Sequence, residues 1–202
     1  MKAVSLFCAC LLAGCATRPP SDTMSNTSGH AAPAPIPNFH VVVPDKLYRG
    51  GQPGIDNELD WQFLVHHKVR TVVKLNSQVG GDRNVEQEKA AAAKLKIRLV
   101  EAYMAPEDFP ENLNPFAMPE RASLITALEA IEGQAEGAVF VHCSHGSDRT
   151  GLVVALYRMR QQNYCKDKAY AEMKSYGHSV WLPGVRSVLD DDGFAEKANC
   201  LH

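Results

Sequence analysis

No apolar run in this chain of 202 residues reaches the roughly 18 residues that a membrane-spanning helix needs. An excess of basic charge is missing too: 21 Lys and Arg stand against 23 Asp and Glu, for a formal charge of -2. A nucleic-acid backbone needs a clustered basic surface, so the composition gives no case for that partner. Cysteine is scarce, with six residues at irregular spacing, which excludes a small scaffold built on disulfides. There is no internal repeat. What the chain does have is 45% apolar residues, enough to bury a core, so wholesale disorder is excluded. The length fits one domain with additional segments.

The first segment reads as an address. Met1-Lys2 gives a positive start, and residues 3–14 are uncharged and mostly apolar, a signal-peptide length. The run ends in Leu12-Ala13-Gly14-Cys15, which resembles the lipobox of bacterial lipoproteins. That resemblance implies cleavage of residues 1–14, lipid on Cys15, anchoring to a membrane and, because Ala16 follows the cysteine, an outer-membrane, periplasm-facing location. Residues 15–38 hold five of the twelve prolines among Ser, Thr and Ala and read as a tether that buries too little to offset its ordering entropy. The folded domain is expected over residues 39–202.

Within it, residues 40–43, 46–49, 71–75, 97–100 and 138–141 carry strand signals. Residues 56–68, 85–96, 151–161 and 166–176 carry helix signals, and Pro119 is placed to open another helix. Strands alternating with helices predict an α/β fold, a central mostly parallel sheet flanked by helices, with ligands beyond the carboxyl ends of the strands. Residues 103–119 hold four prolines and are expected to form a long functional loop.

The chemistry concentrates in His142-Cys143-Ser144-His145-Gly146-Ser147-Asp148-Arg149-Thr150-Gly151. An apolar strand precedes it and a helix follows. A loop between a strand and a helix N-terminus presents converging N–H groups and a favourable dipole to an anion. The same setting favours a thiolate. Arg149 can hold two phosphate oxygens in a fork, and Cys143 would then attack the phosphorus. Ser144, His145, Gly146, Ser147 and Asp148 complete the expected phosphate-binding loop. Cys143 lies between His142 and His145, but neighbours at a strand end point to opposite faces and no further ligand cluster is evident, so no metal is expected.

This segment resembles the His-Cys-five residues-Arg-Thr-Gly signature of cysteine-dependent tyrosine and dual-specificity phosphatases. Leu47-Tyr48-Arg49-Gly50-Gly51-Gln52-Pro53, Tyr157-Arg158-Met159 and Ala171-Glu172-Met173 are similar to stretches of bacterial and fungal-type atypical members. The resemblance covers about residues 40–190 and implies a dual-specificity-phosphatase-like sheet. It also implies a phosphocysteine intermediate on Cys143, equatorial oxygens held by Arg149 and the loop amides, and a carboxylic acid that protonates the leaving oxygen. Thr150 would hydrogen-bond Cys143 and help it leave, His142 would orient the loop, and no cofactor is required.

The acid is expected in the long loop, with Asp108 first and Glu107 and Glu111 as rivals. Asp148 is a fourth candidate: an Asp just before the Arg resembles some phosphatases acting on phosphoinositides, and its alternative role is to brace the loop. Arg49 and Gln52 either approach the pocket or shape their own turn. Trp61 and Phe63 are expected in the core, and Lys166 and Lys168 on a solvated helix face. Cys165 and Cys200 are candidates for a disulfide in an oxidising compartment. Substrates in view are phosphorylated proteins, inositol phosphates and phosphoinositides. A catalytically weak phosphate-binding module is the alternative to an enzyme, and arsenate reduction would need a resolving cysteine near Cys143.

The address generates its own test. Cys15→Ser should yield a soluble or unprocessed protein on membrane fractionation, and a processed variant that still sediments with membranes would overturn the lipid anchor.

Overall fold

The computed structural model describes residues 35–76, 83–104, 119–191, 193 and 194. Pro33–His202 forms one compact unit. Among the described residues its sheet has five strands, β1 (His40–Val43), β2 (Leu47–Gly50), β3 (Val69–Lys74), β4 (Arg98–Glu101) and β5 (Ala138–His142). Their spatial order is β1-β2-β5-β3-β4. β1 pairs antiparallel with β2, and the three other pairings are parallel, so the expected mostly parallel sheet is observed.

Among the described residues six helices flank it: α1 (Glu58–His66), α2 (Arg83–Lys94), α3 (Arg121–Glu132), α4 (Asp148–Gln162), α5 (Lys166–Ser175) and the short α6 (Pro183–Ser187). Alternation along each strand divides the core in two. Tyr48, Val72 and Phe140 pack with Trp61 and Leu64 of α1 and Ala92 of α2. Leu47, Val73, Val139 and Val141 pack on the other face with α3, α4 and α5 through Leu124, Leu128, Leu152, Leu156 and Met173. β5 is central and buried at all five positions, as its unbroken apolar run requires. Among the described residues no helix is long and apolar enough to cross a membrane.

The departures from the expected elements have local causes. α1 starts at Glu58 because the Asn57 side chain accepts from Leu59 N–H, and Lys68 beyond its end takes a positive φ of 58°; a cap and a left-handed residue bracket the helix. α4 starts at Asp148, three residues before the expected position, with Ser147 at the N-cap. Asp148, Arg149 and Thr150 therefore lie in a helix first turn rather than in the loop. α6 was not expected, although Pro183 in its first turn is a start signal. Trp61 and Phe63 do sit in the core, Phe63 at its edge. Lys166 pairs with Asp190, and Lys168 lies 3.7 Å over the Tyr164 ring, so both do more than face solvent.

The folded body also begins earlier than residue 39. Ile36, in the stretch read as tether, is 1% exposed and packs with Tyr48 and Phe140. Its proline-rich flanks concealed an anchor. Ile36→Ala should cost about 2–5 kcal/mol of stability, as for other fully buried isoleucines, read as a lower denaturant midpoint at unchanged m-value. A midpoint equal to wild type would show that this segment does not belong to the core.

Candidate active site

β5 delivers His142 and Cys143 to its carboxyl end, on opposite faces as the strand alternation predicts. Cys143 joins the cluster under α4 and is 5% exposed. His142 stacks beside Phe140 on the α1–α2 face. The chain then turns through Gly146, whose φ is +75°. A Cβ there would lie 2.4 Å from the carbonyl carbon of Gly50, so any side chain would drive the loop off the β2 turn. Glycine is required both by conformation and by space.

The carbonyls of the loop are all engaged from outside the pocket. Gln52 N–H donates to Ser144 O at 3.2 Å and Gly151 N–H to Ser147 O at 2.8 Å. Asn38 Nδ2 donates to His145 O at 3.3 Å, and Arg49 Nη2 to Gly146 O at 2.7 Å. Among the described residues no protein atom accepts from the N–H groups of Ser144, His145, Gly146 or Ser147. Carbonyls pinned outward leave the amides converging inward, where the N-terminus of α4 adds its partial positive charge. The side chain of Arg149, half-buried in the first turn of α4, makes no hydrogen bond or ion pair among the described residues. The loop is thus a ring of donors with one uncommitted guanidinium and a thiol at its base. Such an arrangement can bind a phosphate and present the Cys143 thiol to its phosphorus.

Two supports were not legible in the sequence. Glu88 of α2, fully buried, accepts from His142 Nε2 at 2.8 Å and from Lys74 Nζ at 2.6 Å. Burial pushes the Glu88 carboxyl up, but the charges and hydrogen bonds of His142 and Lys74 outweigh it and hold the group below its ordinary range. Gln52 Nε2 also donates to Glu88, at 3.3 Å, and Asn76 donates to Gln52 at 3.0 Å. His142 is thereby fixed in orientation, and Gln52 joins this network to Ser144. The second support is His178, which donates through Nδ1 to Asp148 at 2.7 Å, with Ser179 N–H on the same oxygen at 2.9 Å. Burial raises the Asp148 carboxyl, yet these two bonds, with the charges of His178 and Arg149, leave it lowered. These partners hold Asp148 ionised and let it brace the segment after α5 against the loop, whereas an acid catalyst must hold a proton near working pH.

The hydrogen bond expected from Thr150 to Cys143 is not formed: Thr150 Oγ1 is buried without a hydrogen-bond partner. Asp108, Glu107, Glu111, Cys15 and Cys200 lie outside the described residues. No group of metal-ligating side chains occurs among the described residues.

A thiol on a buried strand end, inward amides and an arginine at the next helix define a cysteine-dependent phosphatase. The tyrosine phosphatase family model matches residues 34–160, and the chain belongs to that family. It is 24% identical over 83% of its length to the inositol diphosphatase DSP5 of Arabidopsis thaliana, covering 76% of that protein. It is 30% identical over 71% of its length to the dual specificity protein phosphatase TpbA of Pseudomonas aeruginosa, and the match spans only 56% of that relative. The crystal structure of TpbA superposes with a TM-score of 0.56 at 24% identity, covering 81% of this chain and 95% of that one. The catalytic core of the PP-IP phosphatase SIW14 of S. cerevisiae superposes with a TM-score of 0.56 at 22% identity, covering 78% of this chain and 88% of that one.

Removing the charge from Glu88 tests the network behind the loop. Glu88→Gln leaves Lys74 buried beside a neutral amide, and breaking such a pair costs about 3–5 kcal/mol. Because the folded carboxyl lies below its unfolded value, its stabilisation is complete above roughly pH 4.3 and is lost as pH falls through the lower folded value. Wild type should therefore lose stability on that acid limb and Glu88→Gln should show a flatter one in denaturant titrations from pH 7 to pH 3. Parallel acid limbs would show that Glu88 is not ionised in the fold.

Proposed function

We propose that this phosphatase removes single phosphate groups from proteins, with phosphotyrosine and phosphoserine or phosphothreonine side chains as substrates. The observation that carries this reading is the charge count around the loop. Arg149 is its one uncommitted cation among the described residues. Lys74 is neutralised by Glu88, Arg158 is bonded to Glu172, and Arg49 is wholly buried. Asp148 adds a negative charge at the loop itself. One guanidinium and a ring of amides suit one phosphate monoester, whereas a polyphosphorylated inositol needs several exposed cations.

A second reading, an inositol phosphate or phosphoinositide phosphatase, is supported by the similarity to DSP5, named an inositol diphosphatase. In either reading Cys143 attacks phosphorus, the bridging P–O bond breaks with its oxygen leaving on an alcohol (from a monoester) or on a phosphate (from a diphosphate), and water cleaves the phosphocysteine. Asp108 is our choice of proton donor to the leaving oxygen, supported by its place in the proline-rich segment before the signature. We further place the enzyme on the periplasmic side of an outer membrane through a lipid on Cys15, supported by Leu12-Ala13-Gly14-Cys15 and the tether that follows.

Turnover of phosphotyrosyl, phosphoseryl and phosphothreonyl peptides, a phosphoinositide and a diphosphoinositol polyphosphate decides between the readings. A peptide should give the highest kcat/KM, and Cys143→Ser should lower turnover of every substrate by at least about 10³-fold. A higher kcat/KM on an inositol substrate would establish the second reading. No turnover of any substrate by wild type would leave a phosphate-binding module.

A further inference from the structure

Arg49 is the one strongly basic side chain in the core that no carboxylate meets. Its exposure is 0%, and no ion pair reaches it among the described residues. Nη2 donates to Gly146 O at 2.7 Å, and the guanidinium carbon sits 4.4 Å from the Tyr176 ring centroid. Nε and Nη1 are buried without partners. A desolvated cation with unmet donors is costly unless a negative charge lies close. Glu172 is the nearest carboxylate by charge, but it is committed to Arg158 at 2.9 Å.

The sheet register supplies the missing partner. Arg49 of β2 pairs with Val141 of β5. Side chains at alternate positions share a face, so Cys143, two residues beyond Val141 and just past the end of β5, is the next side chain on the face that Arg49 occupies. Arg49 also reaches the start of α4, with Nη2 3.7 Å from where a Gly151 side chain would begin. A diagonal neighbour of this kind lies within reach of a long side chain.

We propose that Arg49 is a positioning residue for the nucleophile: a buried counter-cation behind the phosphate loop that balances the Cys143 thiolate and holds Gly146 in its turn. The structure gives it both handles at once, a hydrogen bond to the loop backbone and a charge on the sulfur side of the sheet. Burial lowers the Arg49 guanidinium to about 10, with Glu172, Tyr176 and Cys143 opposing that shift, so it stays charged at neutral pH. The other groups facing this region are His40 from β1, Arg158 and Glu172 across the α4–α5 contact, Tyr176 and His178 beyond α5, and Asp148 and Arg149 at the start of α4. His142 points to the opposite face with Glu88. Of these, only Arg49 is a fully buried, unpaired cation.

Alkylation of the full chain by iodoacetamide reads the thiolate directly and needs no phosphate ester, so it is independent of which substrate the enzyme takes. Cys143→Ser gives the background from Cys165 and the other cysteines. Arg49→Met should lower the Cys143 alkylation rate about tenfold at pH 6 and leave it at the wild-type value at pH 9, where the thiolate forms without help. Arg49→Lys, which keeps the charge, should restore most of the rate at pH 6. Arg49→Gln, which can still donate to Gly146 O, should behave like Arg49→Met and serves in its place if that variant does not fold. Equal loss at pH 6 and pH 9 would assign Arg49 to loop shape alone. A wild-type rate at pH 6 in the neutral variants, or no rescue by Arg49→Lys, would overturn the proposal.

Discussion

The whole site depends on the outward pinning of four carbonyl groups. A loop of small residues between a strand and a helix can point either its carbonyls or its amides into the pocket. Here Gln52, Asn38, Arg49 and the Gly151 amide take the carbonyls of Ser144, His145, Gly146 and Ser147. Only then do the amides converge on an anion. Each of these donors comes from a different place: the chain before β1, the end of β2, the turn after it, and α4 itself. The parallel pairing of β2 with β5 brings the first three alongside the loop. The sheet order is therefore a requirement of the chemistry as well as of the core.

Holding the loop this way commits the protein to buried charge. Lys74, Glu88 and His142 are all fully buried, and a hydrophobic trio of similar volume would often be as stable or more so. What the charged trio adds is direction. Glu88 can satisfy Lys74 and His142 in one geometry, and its bond to Gln52 ties that geometry to the Ser144 carbonyl. Asp148 makes a comparable trade on the other side, where His178 and Ser179 hold the segment after α5 against the loop.

Much of this was legible in the sequence wherever the information is contiguous. His142 to Gly151 lie in one stretch, and the strand before and helix after them follow from local pattern, so the strand–loop–helix setting of Cys143 and Arg149 and the α/β class were readable. The supports were not, because they are tertiary. Glu88 is 54 residues from His142, and in an alanine-rich helix it reads as a surface charge. Lys74 ends a β-branched strand and reads as its solvent margin. His178 lies 30 residues beyond Asp148 in a stretch with no strong periodicity. Ile36 was hidden by the prolines around it, since composition reports average character and one anchoring side chain does not change the average. Thr150 failed for the opposite reason: its expected bond came with the family resemblance, and its buried hydroxyl has no hydrogen-bond partner among the described residues.

The charge balance at the loop explains why a second cation should stand behind it. A phosphate monoester brings nearly two negative charges near neutral pH, and a thiolate nucleophile facing it would carry a third. Arg149 and the partial charge of the α4 N-terminus, about half a unit, face the phosphate and leave the sulfur itself uncompensated. Lys74 is no help, because Glu88 has already neutralised it and both lie on the other face of the sheet. A guanidinium on the face of Cys143, with no carboxylate of its own, offsets the repulsion without competing for the phosphate oxygens. Its burial keeps solvent from screening the interaction, and the Gly146 bond keeps it from swinging into the pocket. The cost of desolvating Arg49 and the benefit to the nucleophile then belong to the same interaction.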